Sequence, residues 1–142
     1  YQIHNELGAN VPKPNLKQFK NQIHVLNSIN ENGLISSCHD ISDGGMICAL
    51  AEMTFENKIG CSIDYEETIN INAILFGETG GFIIEVENEN MNQIKIELKE
   101  KGIEYIVIGK TTNSEKITFN DKINIDIETC FNAWTGGLRE KL

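Results

Sequence analysis

The segment His39-Asp40-Ile41-Ser42-Asp43-Gly44-Gly45 runs directly into the apolar stretch Met46-Ile47-Cys48-Ala49-Leu50-Ala51-Glu52-Met53. No other stretch restricts the fold as much. Extended residues before it and helical periodicity after it demand a strand-to-helix junction at the glycines. The first N–H groups of a helix lack internal partners, and the helix dipole makes that end locally positive. Glycine lets another group come close to the backbone. Phosphates bind at such ends, and neighbouring aspartates can hold a divalent cation beside them. Ser42, Gly44 and Gly45 are therefore candidate phosphate ligands, and Asp40 and Asp43 candidate metal ligands. Capping competes with that reading, because Ser42 and Asp43 both have N-cap chemistry worth about 1 kcal/mol. Glycines early in a helix weaken it by roughly 1 kcal/mol each, which makes sense where the backbone must approach something closely. His39 could serve as a proton-carrying group, yet a single histidine at a strand end is more often a hydrogen-bonded structural residue. No second histidine is near it in sequence, since His4 and His24 lie in other elements.

A second glycine cluster, Gly77-Glu78-Thr79-Gly80-Gly81, precedes the strand-like run Phe82-Ile83-Ile84-Glu85-Val86. Consecutive backbone N–H groups in such a turn can cradle an anion, which adds Thr79, Gly80 and Gly81 to the phosphate candidates. The cluster lacks the Lys-Ser/Thr of a P-loop and is no dinucleotide fingerprint; a purely structural turn explains it equally well. A third pair, Gly136-Gly137, follows Trp134 and reads as a helix break or a domain-docking contact. No cysteine has a neighbour that would activate it as a nucleophile.

The rest of the pattern mixes helices and strands without strict alternation. Residues 1–14 read as a linker or extended arm ending in Pro12-Lys13-Pro14. Asn15 suits the cap of a helix carrying Leu16, Phe19, Ile23 and Leu26, closed by Asn32-Gly33. A short strand over 34–39 leads into the junction, and the second helix runs from about Asp43 to Asn57 with Met46, Leu50 and Met53 as its buried stripe. Residues 61–64 form a short strand, and 66–76 are ambiguous between helix and loop. Asn88 or Asn90 caps a helix through Met91, Ile94 and Leu98 to Gly102. Ile103–Gly109 reads as a strand buried on both faces, Ile117–Phe119 and Ile123–Ile127 as a hairpin across Asn120-Asp121, and 128–141 as a last helix. The expected class is α/β (α+β): three α/β/α layers around a mixed, mainly antiparallel sheet, partly ferredoxin-like, with residues 15–142 as one domain.

The bulk numbers exclude some functions. A chain of 142 residues, 40% hydrophobic and 23% charged, fits one soluble domain. Its formal net charge of −9 argues against nucleic acid and against an anionic membrane surface as partners. Cys38, Cys48, Cys61 and Cys130 show neither a CxxC pair nor zinc spacing, as expected of reduced cysteines in a cytoplasmic protein. No apolar run approaches the roughly 20 residues of a membrane span, and no secretory signal opens the chain. The start at Tyr1 suggests a C-terminal piece of a larger protein.

The motif His39–Gly45, followed by Ala49-Leu50-Ala51-Glu52-Met53, resembles the C-terminal domain of the phosphoribosylformylglycinamidine synthase family. That family sits in the superfamily of aminoimidazole ribonucleotide synthetase, selenophosphate synthetase, thiamine-monophosphate kinase and the hydrogenase maturation dehydratase. Leu75–Gly81 before a strand, a β segment ending Ile108-Gly109, and Trp134 with Leu138 near the terminus agree in order. The resemblance covers nearly the whole chain. It implies a full-length enzyme using ATP and Mg²⁺ to convert formylglycinamide ribonucleotide to formylglycinamidine ribonucleotide in purine synthesis. It also implies preceding ATP-binding domains in the same chain, a glutaminase subunit supplying ammonia, and a small bridging subunit. The catalytic half of that family carries Gln-Asp in the first motif and Glu-Ser-Gln in the second. His39-Asp40 and Glu78-Thr79-Gly80 follow the other pattern, so the chain resembles the second, terminal domain, with no catalytic residue of its own. The rivals are another ATP-dependent enzyme of the superfamily and a non-binding structural or assembly domain.

Overall fold

The structure, a computed structural model, describes residues 13–65, 71–120 and 122–139. Residues 1–12 of the expected arm, 66–70 of the ambiguous stretch, Asp121 of the hairpin turn and the end of the last helix lie outside them. The elements in chain order are α1 (Leu16–Glu31), β1 (Ser37–Asp40), α2 (Gly45–Thr54), β2 (Gly60–Ile63), α3 (Ile71–Leu75), β3 (Phe82–Glu85), α4 (Met91–Glu100), β4 (Gly109–Thr112), β5 (Lys116–Phe119), β6 (Ile123–Asp126) and α5 (Ile127–Arg139). Asn15 caps α1 as its chemistry predicts: its Oδ1 accepts from the Gln18 N–H at 3.2 Å. No helix among the described residues is long and apolar enough to cross a membrane.

The α/β class and the mainly antiparallel, mixed pairing match the expectation, but the strands form two sheets. β1 pairs antiparallel with β3, and the second sheet has the order β4-β2-β5-β6, with β2 and β5 parallel. Side chains alternate across a strand, and β3 shows what this does: Ile83 belongs to one core and Ile84 packs against the other. On the Ile84 side, α1 and α4 close a small cluster through Val25, Ile29, Ile94 and Leu98. On the Ile83 side, α2 brings Met46, Ala49 and Leu50 against Ile63, Ile117 and Phe119 of the four-stranded sheet. α2 thus lies between the two sheets, its N-terminus at the end of β1.

Two apolar segments stand partly outside the cores. On α1 the apolar Leu16, Phe19 and Ile23 are exposed, Phe19 stacking on Phe82 with ring centroids 5.5 Å apart, while Val25 and Ile29 are buried and pack with Ile94 and Leu98 of α4. Ile103–Gly109 was expected as a strand buried on both faces. Residues 103–108 form no strand, and Tyr105, Ile106 and Val107 are exposed, Ile106 to 65%. Ile103 packs on one core and Ile108 on the other, and the Asp64 N–H donates to the Ile108 carbonyl at 2.9 Å. The residues between them bridge two cores. Apolar character alone did not secure burial in the run 105–107.

The hairpin β5–β6 is present. Asn120 at its turn (φ 43°) reaches back to the end of β2, where its side chain accepts from the Tyr65 N–H at 3.0 Å and donates to the Tyr65 carbonyl at 3.1 Å. α5 runs through Gly136-Gly137 without a break.

Candidate functional site

Pairing of β1 with β3 puts Asp40 opposite Phe82, so the loops flanking these residues meet. The Ile41 N–H donates to the Gly81 carbonyl at 2.9 Å. The Gly44 N–H donates to Oε1 of Glu78, 34 residues away, at 2.8 Å. The two glycine-rich motifs therefore form one loop cluster at the N-terminus of α2.

The cap of α2 differs from the expected one. Neither Ser42 nor Asp43 takes that role: Gly44 is the N-cap residue, at φ 81°, and no side chain of its own satisfies the turn. Glu78 does this from the other loop, its carboxylate placed where the helix dipole favours negative charge. The Gly45 N–H is also occupied, donating to the Ser42 carbonyl at 3.0 Å. Two of the four glycine amides proposed for phosphate, those of Gly44 and Gly45, thus have partners within the chain.

The glycines answer a packing demand. At Gly45, φ is 73° and an added Cβ would lie 2.6 Å from the Leu75 carbonyl oxygen and 2.8 Å from the Phe76 Cα. At Gly44 it would run into Cys48 Sγ. The close approach anticipated from the sequence exists, and its object is the chain's own backbone at the end of α3.

Ser42, Asp43, Thr79 and Gly80 remain exposed around this junction, as does Asp40. Among the described residues no three His, Cys, Asp or Glu side chains converge on a cation position. Mg²⁺ takes six oxygens in near-octahedral order, so Asp40 and Asp43 are not a preformed metal centre by themselves. His39 acts as a tie. Its Nδ1 lies 2.7 Å from the Asp40 carbonyl, which only accepts, so Nδ1 carries the proton. Its Nε2 lies 3.3 Å from Oε2 of Glu52 on α2, a pairing that is attractive only when Nε2 carries a proton as well. Sequence reading missed Glu78 and Glu52 as partners because both contacts depend on how the strands register.

The cysteines are protonated thiols. Burial pushes Cys61 up to about 11. Burial also raises Cys38, Cys48 and Cys130, with Asp40 adding to the first, Glu52 and Glu78 to the second, and Cys48 and Asp126 to the third. None is poised as a nucleophile. On the far side of His39 a cleft of ≈ 480 Å³ is lined by Glu52, Phe55, Glu56, Phe131 and Trp134. Phe55, at the C-terminal cap of α2, and Phe131, on α5, stand 76 residues apart in the chain, so no local motif announces this cluster.

Residues 2–122 match the family described as AIR synthase related protein, C-terminal domain. Phosphoribosylformylglycinamidine synthase subunit PurL of Aquifex aeolicus is 32% identical over 145 residues, 99% of this chain and 20% of that protein. The subunit of the same name from Methanocaldococcus jannaschii is 34% identical over 134 residues, 89% of this chain and 18% of that protein. The chain spans about a fifth of the length of these curated relatives. Among solved structures, Thermotoga maritima PurL complexed with FGAR superposes with a TM-score of 0.74 at 13% identity, covering 91% of this chain and 23% of that one. The same protein complexed with ATP gives 0.66 at 14% identity, over 78% of this chain and 21% of that one. At these identities the structural likeness establishes the fold.

Proposed function

The chain belongs to the AIR synthase related protein, C-terminal domain family, and from that membership we propose that it is the C-terminal domain of the second repeat of a phosphoribosylformylglycinamidine synthase. The observation that carries this reading is the match over 99% of the chain to the Aquifex aeolicus subunit. The full-length protein would use ATP and ammonia from glutamine to convert formylglycinamide ribonucleotide to formylglycinamidine ribonucleotide, ADP and phosphate. ATP supplies the phosphoryl group that activates the amide oxygen, and ammonia then displaces phosphate. The ATP-binding domains of the same polypeptide, a glutaminase subunit and a small bridging subunit would be its partners, in the cytoplasm.

Within that enzyme the domain's part is structural. Supporting this, the N-terminus of α2 is capped by the Glu78 carboxylate, which takes the place an anionic ligand would use. Ser42, Thr79, Gly80 and Gly81 are what the loop cluster leaves for a phosphate at its rim, with Asp40 and Asp43 beside them. The deciding assay uses the full-length polypeptide with ATP, ammonium and formylglycinamide ribonucleotide. ADP release that depends on the ribonucleotide is expected; its absence from a folded preparation removes the synthase reading. In the same assay Asp40→Asn and Asp43→Ala should leave kcat and KM within about twofold of wild type, whereas a group stabilising the transition state would cost about a hundredfold or more.

A further inference from the structure

The face that the synthase reading leaves unused is the C-terminal half of α5. Ile127, Phe131 and Trp134 follow one another at four- and three-residue spacing and so share a side of the helix. Ile127 is buried, Phe131 is 42% exposed and Trp134 61%. The apolar stripe therefore begins inside the core and runs off its edge. Phe131 and Trp134 are nonetheless ordered by contact: each packs on Phe55, with centroids 5.4 and 5.6 Å apart, and they lie 6.2 Å from one another. Gly137 continues that side of the helix. An added Cβ there would meet no heavy atom within 4 Å, so nothing among the described residues accounts for a glycine that weakens the helix. A small residue in line with exposed aromatics suits the approach of an outside backbone.

The cleft beside these rings specifies the visitor. Glu52 and Glu56 both line it. His39 already faces Glu52, while Glu56 is exposed and has no ion pair among the described residues. Aromatic faces next to an uncompensated carboxylate attract a cation, and a planar guanidinium can stack on the rings while its N–H groups donate to the carboxylate. The curated relatives carry about four-fifths of their length outside the region this chain matches, so a neighbour on the same polypeptide is at hand. We propose that another domain of the same polypeptide docks on this face and places an arginine side chain in the cleft between Trp134, Phe131 and Glu56. This docking rests on reading the chain as one domain of a longer synthase.

Hydroxyl-radical footprinting of the full-length polypeptide, read by mass spectrometry, tests it. Trp134 should be oxidised about tenfold more slowly than free N-acetyltryptophanamide in the same sample, at every protein concentration; Glu56→Arg, and more mildly Glu56→Gln, should raise its rate by about threefold or more, the loss of one exposed cation–π and charge contact. Oxidation as fast as the free amide overturns the proposal. So does protection that neither Glu56 variant changes, which would mean a purely apolar cover, or protection lost on dilution, which would assign the face to a second copy. ADP release measured on the same sample keeps the two readings apart. Protection without turnover removes the synthase reaction and leaves the docking; turnover without protection does the reverse.

Discussion

Two helices carry a pair of glycines, and the pairs mean opposite things. At the start of α2, Gly44 and Gly45 have positive φ, and a Cβ on either would strike another part of the chain. Near the end of α5, Gly136 and Gly137 sit in ordinary helix, and a Cβ on either meets nothing within 4 Å. The first region closes on itself, with amides, carboxylate and backbone all partnered internally. The second is left open, with Trp134 and Phe131 at its side. A glycine is thus informative only together with what its missing side chain would touch: the chain itself in one case, and in the other something outside it.

The largest effect should come from Gly45→Ala. The substitution forces an L-residue to φ 73° and drives a methyl into the Leu75–Phe76 backbone. Strain at positive φ and overpacking together should cost about 3 kcal/mol, read as a lowered denaturant midpoint with unchanged slope. If the midpoint barely moves, the closed region is not held by this contact and the contrast collapses.

The closed region should also weaken in alkali. Cys61 is buried on β2, and its folded pKa is raised by burial from 9.0 to about 11. Between those values the unfolded chain loses a proton that the folded chain keeps, so stability present below pH 9.0 is lost as pH rises toward about 11. Unfolding midpoints measured across that window should fall, and Cys61→Val should flatten the slope. A smaller change is expected for Glu78→Ala, which removes the acceptor of the Gly44 N–H and should cost about 1 kcal/mol. Glu78→Gln keeps an acceptor oxygen and should cost less; equal losses for the two would mean that the cap is not what Glu78 provides.

Local signals were readable wherever the physics was local. Asn15 declared its cap, the Met46–Leu50 spacing declared the inner face of α2, and Asn120 marked the hairpin turn. The meeting of the two glycine motifs depended on how β1 registers on β3, and the contact that joins them is Glu78 on Gly44. What failed was the inference from apolar to buried. The run 105–107 is as apolar as any core segment, yet it is exposed. Periodicity records which face seeks cover and says nothing about who provides it. The same gap hid the cleft at Trp134, whose walls come from α2 and α5 and meet only through the tertiary fold.

The smallest effect distinguishes the open region most sharply, because two measurements should move in opposite directions. Gly137→Ala adds a methyl to helix where nothing stands within 4 Å. Removing an interior glycine gains helix propensity of up to about 1 kcal/mol, and nearer about 0.5 kcal/mol this close to the last turn of the helix. The denaturant midpoint should therefore rise slightly. In the full-length polypeptide the same methyl would stand between α5 and the docked backbone, so Trp134 should be oxidised faster than in the parent protein. A rise in both stability and protection would mean that the glycine leaves no room for a partner, and α5 would then be open only because nothing selects against it. A rise in stability with a loss of protection fits a residue kept small for a neighbour outside the chain, at a cost to the helix that carries it.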